Sequence, residues 1–96
     1  MPPRQYRSAL VIIQLILEEL MKVGDEGIVK SQIYANLGLK TAVGEKYLDQ
    51  LVNAEYLTVN EEQWGKERTR HVVRATMKGI QRFNWFIKLS TELDLG

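Results

Sequence analysis

Apolar positions along the chain repeat first at helical spacing, then alternate, then return to helical spacing. Leu10, Ile13, Leu17 and Leu20, flanked by Ala9 and Ile16, recur along one side of a helix and predict the first element. Ser8 suits its start, because a serine hydroxyl accepts from the free N–H groups of a first turn, and Gly24 suits its end. Val11 and Leu15 fall on the opposite side, where a surface helix carries polar residues. The first helix is therefore expected to be covered on two sides. Asp25-Glu26-Gly27 is a turn cluster, and Ile28-Val29 fits either a short strand or the lead-in to a second helix. That helix is predicted over 31–37, with Ile33, Tyr34 and Leu37 on one side and Gly38 as its stop. Thr41 is expected to cap a third helix running to about 55, with Val43, Tyr47, Leu48, Leu51 and Ala54 facing inward. Gly44 falls on that inward side and is expected to let the third helix approach the second closely.

From Tyr56 the period changes. Residues 56–63 alternate, with Leu57 and Val59 on one face, and 64–67 read as a turn. A second strand is predicted over 70–75, with His71, Val73 and Ala75 inward and Arg70, Val72 and Arg74 outward. Thr76 caps a last helix in which Ile80, Phe83 and Ile87 form one apolar line and Phe86, Leu89 and Leu93 another. The order is helix, helix, helix, hairpin, helix, an α+β chain that is mostly α. The second and third helices, joined by a short turn containing glycine, match a helix-turn-helix unit.

Size and composition narrow the function. The chain has 96 residues, 45% of them hydrophobic and 26% charged, which is ordinary for one globular domain. A domain this short buries only about two-thirds of its unfolded surface, so it must pack efficiently or oligomerise. There is no cysteine and only 1 histidine, so no disulfide or thiolate metal site is expected, nor a multi-histidine one. No paired carboxylates, glycine-rich phosphate loop or nucleophile constellation stands out, so no enzyme, cofactor or small-molecule substrate is expected. The apolar stretch over 9–17 is too short for a membrane span, which takes about 20 residues. The reading is a soluble binding domain of the cytoplasm.

The net charge of +1 conceals an uneven distribution. Residues 54–63 carry Glu55, Glu61 and Glu62 and no base, a local −3, whereas 64–82 carry six cations against Glu67, a local +5. A basic block of this kind suits a polyanion. Pairing of its bases with Glu61 and Glu62 across the hairpin is the competing explanation.

The element order, together with Ile33-Tyr34-Ala35-Asn36-Leu37, Tyr47-Leu48 with Leu51, Ala54-Glu55-Tyr56-Leu57 and Thr76-Met77-Lys78-Gly79, resembles winged helix-turn-helix proteins. The resemblance is narrowest to small archaeal ones that dimerise through a C-terminal helix, and covers roughly residues 8–93. Two positions depart from the pattern: Gly38 stands where many relatives have a small polar residue, and Glu55 where glycine is usual. Two prolines and two arginines make residues 1–7 read as a flexible arm, and the resemblance implies a winged domain over 8–76 and a dimerisation helix over 77–96. It also implies binding of double-stranded DNA as a homodimer, in a regulatory or nucleoid-associated role. A winged-helix module that binds protein instead of DNA is the alternative.

A recognition helix reads base edges with residues near its N-terminus. At 100° per residue, Ala42, Glu45, Lys46, Asp49 and Asn53 form the outer face of the third helix, and its N-terminal part nominates Lys40, Thr41, Ala42, Glu45, Lys46 and Asp49. Thr41 suits a cap or a phosphate, Ala42 a thymine methyl, Glu45 a cytosine amine, and Lys46 a phosphate or guanine. Lys66 and Arg68 at the hairpin tip, with Arg70 and Arg74 on one strand face, are the nominated wing contacts. Lys30 and Ser31 open the second helix, where N–H groups suit a phosphate. Arg4 and Arg7 offer a mobile arm. For dimerisation the surplus apolar residues Val11, Leu15, Ile80, Phe83, Phe86, Ile87 and Leu89 are nominated.

Overall fold

The computed structural model describes residues 8–94; the predicted arm over 1–7, with Arg4 and Arg7, lies outside the described residues. The elements are α1 (Ala9–Val23), a 3-10 turn (Gly24–Glu26), β1 (Ile28–Val29), α2 (Lys30–Leu37), α3 (Thr41–Asn53), β2 (Leu57–Trp64), β3 (Arg68–Ala75) and α4 (Met77–Glu92). The strands form one antiparallel sheet in the order β1-β3-β2. Ile28-Val29 is thus a strand, pairing Ile28 with Val73 and Val29 with Val72.

Local chemistry accounts for most boundaries. The Ser8 hydroxyl accepts from the Val11 N–H at 3.2 Å, and the Thr76 hydroxyl from the Gly79 N–H at 3.0 Å. Lys40, with extended backbone, occupies the cap position of α3 and Thr41 is its first helical residue, so Thr41 is not the cap. The α3 helix stops at Asn53, short of 55, in a motif that closes its last carbonyls. The Tyr56 N–H donates to the Leu51 carbonyl at 2.9 Å and the Glu55 N–H to that of Val52 at 2.9 Å. Such a motif puts the residue after the cap in left-handed backbone, and Glu55, which follows the cap Ala54, is so at φ 67°. The turn therefore keeps the geometry that glycine usually supplies.

The core gathers Ile12, Ile16, Leu17 and Leu20 of α1, Ile33 and Tyr34 of α2, Leu48 and Leu51 of α3, and Leu57 and Val73 of the sheet. Phe83 and Phe86 bring α4 onto this core, so α4 is built into the same folded unit. Backbone approach is closest at Gly44 and Gly79. A Cβ on Gly44 would stand 2.7 Å from Tyr34 Cζ, so α3 lies directly on that ring, as expected. A Cβ on Gly79 would meet the Tyr56 carbonyl, 2.9 Å from its carbon.

At three positions the burial differs from expectation. Val43 is exposed, because at 100° per residue it lies about 80° off the line of Leu51. Val72 is buried although it lies on the outer face, because β1 pairs beside it and the turn at Gly27 covers it. His71 shares the face of Val73, but β3 enters from the hairpin tip and has not yet reached the core there, and His71 is exposed, 3.5 Å from Glu61.

Candidate nucleic-acid interface

The angle between α2 and α3 is pinned by polar contacts on top of the Gly44–Tyr34 packing. The Tyr34 hydroxyl donates to the Glu45 carboxylate, and Lys30 Nζ lies 3.0 Å from the same group. These bonds, that from Tyr34 foremost, hold the Glu45 carboxyl below its ordinary range. Burial, then the bond to Glu45, pushes the Tyr34 phenol well above its own. Glu45 thus lies on the outer side of α3, as the periodicity indicates, but its charge is answered from within the chain. Lys40, Thr41, Ala42 and Lys46 are exposed around the first turns of α3. Lys46 Nζ sits 5.8 Å from the Tyr47 ring centre.

Beyond the core, β2 and β3 continue as a free hairpin. Alternation and register put Glu62, Trp64, Arg68, Arg70, Val72 and Arg74 on one face. Arg74 is tied down: its Nη1 is 2.5 Å from Glu62, its Nε donates to the Asp25 carbonyl at 2.8 Å, and its Nη2 to that of Glu26 at 3.2 Å. The bond to Glu62 raises the guanidinium's pKa and lowers the carboxyl's. Cross-strand pairing therefore takes Arg74 out of the free basic set. Arg70 instead stacks on Trp64, its Cζ 3.4 Å from the ring centre. Lys66 and Arg68 are exposed at the tip, with no ion pair among the described residues.

Between this hairpin and the start of α2 lies an open cleft of about 670 Å3. Of the nominated residues, Lys30, Ser31, Arg68 and Arg70 line it together, with His71 and Trp64. No α3 residue lines the cleft; α3 offers its exposed N-terminal turns as a separate surface. The periodicity marks Tyr34 as a core residue and carries no sign of its hydroxyl's role. Trp64 reads from the sequence as a turn residue, although a two-residue offset across the hairpin signals the Trp64–Arg70 contact.

Of the nominated dimer residues, Val11 and Ile87 are exposed, and Leu15, Ile80, Phe83, Phe86 and Leu89 are half-buried. Leu10, Met77, Trp85 and Leu93 add exposed apolar surface on the same two helices. Among the described residues no helix is long and apolar enough to cross a membrane, and no group of three or more acidic, histidine or cysteine side chains could hold a metal.

Three core helices, a three-stranded sheet whose last two strands project as a hairpin, and a closing helix make this a winged helix-turn-helix fold. The chain is similar to a PadR-like transcription factor from Bacteroides fragilis, at 18% identity and a TM-score of 0.74, over 90% of this chain and 85% of that one. It is similar to smu.1704 from Streptococcus mutans, at 23% identity and a TM-score of 0.75, over 96% of this chain and 88% of that one. A MepR variant from S. aureus bound to an oligodeoxyribonucleotide matches at 15% identity and a TM-score of 0.72, over 88% of this chain but only 59% of MepR. No family model and no curated protein matches the chain.

Proposed function

We propose that the protein is a dimeric DNA-binding transcriptional regulator that places α3 in the major groove and the hairpin on the backbone or minor groove. The observation that carries the reading is the convergence of Lys30, Ser31, Arg68 and Arg70, from separate stretches of chain, on one cleft beside an exposed helix N-terminus. Fold likeness to a MepR structure that contains an oligodeoxyribonucleotide supports it. Lys40, Thr41, Ala42 and Lys46 face the bases and nearby phosphates, and Lys66, Arg68 and Arg70 the backbone. Glu45 and Arg74 set the position of these groups. The exposed apolar residues of α1 and α4 bury themselves in a two-fold partner.

Titration of binding to random duplex DNA against salt tests this. Log affinity falls linearly with log salt, by about 0.9 per phosphate contact. Reversing the charge at Arg68 and Arg70 abolishes binding. Unchanged affinity removes the wing from the interface, and absence of salt-dependent binding leaves the protein-interaction module as the reading. Exposed Val43 and Val52 on α3 favour that second reading. Light scattering reports the dimer; a monomer at micromolar concentration refutes it.

A further inference from the structure

The wing's outer face sets up a competition for one arginine. Glu62 stands directly opposite Arg70 in the strand register, and Trp64 stands on the diagonal, toward the tip. A carboxylate opposite a guanidinium ordinarily captures it and neutralises its charge. Here Glu62 is bonded instead to Arg74, at 2.5 Å. Arg74 is itself fastened to the Asp25 and Glu26 carbonyls at 2.8 and 3.2 Å, so the carboxylate is held toward the base of the hairpin. Arg70 is left to stack on Trp64 at 3.4 Å. Stacking uses the flat face of a guanidinium and leaves its in-plane N–H donors free. The Arg70 side chain makes no hydrogen bond or ion pair among the described residues, and it borders both the cleft against α2 and a second hollow.

We infer that Trp64 and the Glu62–Arg74 pair are positioning residues for Arg70: the indole seats its guanidinium in the cleft, and Arg74 removes the carboxylate that would otherwise neutralise it. The ligand group is a phosphate oxygen of duplex DNA, so the inference rests on the proposed DNA-binding reading. A pre-seated arginine loses less side-chain freedom on binding than a free one. Arg74 acts on binding without touching the ligand.

The full chain and its W64A, W64F, R74Q and E62Q/R74Q variants are titrated with random duplex DNA at several salt concentrations, with thermal melts alongside. W64A weakens binding about two- to fivefold, the worth of an exposed cation–π contact, and W64F restores most of it. R74Q frees Glu62 to pair with Arg70, so affinity falls and the salt slope drops by about 0.9, one phosphate contact. Removing the carboxylate as well, in E62Q/R74Q, recovers slope and affinity although the hairpin has lost one more bond. A merely structural Arg74 predicts the opposite, a double variant no better than R74Q. If the natural chain binds DNA while W64A and R74Q match it, or the double variant shows no recovery, this inference is overturned and DNA binding stands. If the natural chain does not bind DNA at any salt, both fall.

Discussion

Gly79→Ala tests whether the joint between the α3 exit and α4 is as tight as the geometry states. Alanine is the better helix former by about 1 kcal/mol, so on local grounds the change stabilises. The added Cβ, however, runs into the Tyr56 carbonyl, 2.9 Å from its carbon and 3.2 Å from its Cα. This is backbone, so no side chain can rotate away. The backbone is also held: the Thr76 N–H donates to the Tyr56 carbonyl at 3.0 Å and the Thr76 hydroxyl to the Glu55 carbonyl at 2.6 Å. Relief requires sliding the start of α4 off the turn, which strains the packing of Phe83 and Phe86 on the core. Overpacking costs about 1–3 kcal/mol, here at the upper end, and a disturbed cap about 1 kcal/mol more. Net of the propensity gain, the loss is about 3 kcal/mol, a Tm lower by roughly 12–24 °C for a domain of this size. Calorimetry of Gly79→Ala beside Asn84→Ala, an exposed site on the same helix, separates the two effects. A Gly79→Ala protein melting at or above the natural temperature refutes the close approach.

Two further outcomes follow from polar and backbone geometry. Glu55→Gly relieves a left-handed conformation at φ 67° and raises stability by about 1 kcal/mol, or roughly 4–8 °C in Tm; a lower Tm shows that the Glu55 side chain contributes something the turn geometry does not. Glu45, whose pKa is lowered from 4.5 chiefly by the Tyr34 hydroxyl, binds fewer protons folded than unfolded in acid. Its stabilisation is therefore present above the unfolded pKa and lost as pH falls through the lower folded one. Glu45→Gln flattens this part of the acid melt, though only modestly, since the group is substantially exposed; an unaltered acid profile means that the Tyr34–Glu45 bond does not form in solution.

Much of the architecture was readable because its punctuation is local. Ser8, Gly24, Gly38 and Thr76 mark ends through groups within a few residues of themselves, and the switch from helical to alternating spacing marks the hairpin. What escaped depends on residues far away in sequence. A helical wheel puts Glu45 outside, but its partners are Lys30 and Tyr34. Alternation assigns Val72 and Arg74 to one face without saying what covers that face. The answer comes from a two-residue strand with no period of its own and from two carbonyls of the turn before it. Alternation gives the face of His71, but where the core ends along β3 is set by α-helices packed elsewhere.

The same distinction governs the charge. The block 64–82 sums to +5 along the sequence, yet the fold divides it. Arg74 is answered by Glu62 from the acidic stretch before it. Lys78 sits 5.8 Å from the Tyr56 ring centre, and Arg82 lines a hollow with Trp85 and Phe86 on α4. Only Lys66, Arg68 and Arg70 belong to the free hairpin, and Lys30, which the cleft takes from a different segment, is paired with Glu45. Under the proposed reading, the salt slope is set by the three hairpin cations and by Lys40 and Lys46 of α3, and the sum over the block is irrelevant to it. Neutralising Lys78 and Arg82 together therefore leaves the slope for duplex DNA unchanged, whereas neutralising Arg68 and Arg70 lowers it by about 0.9 for each phosphate no longer engaged. Equal effects of the two pairs would mean that DNA responds to a diffuse positive field and not to a cleft built from particular side chains.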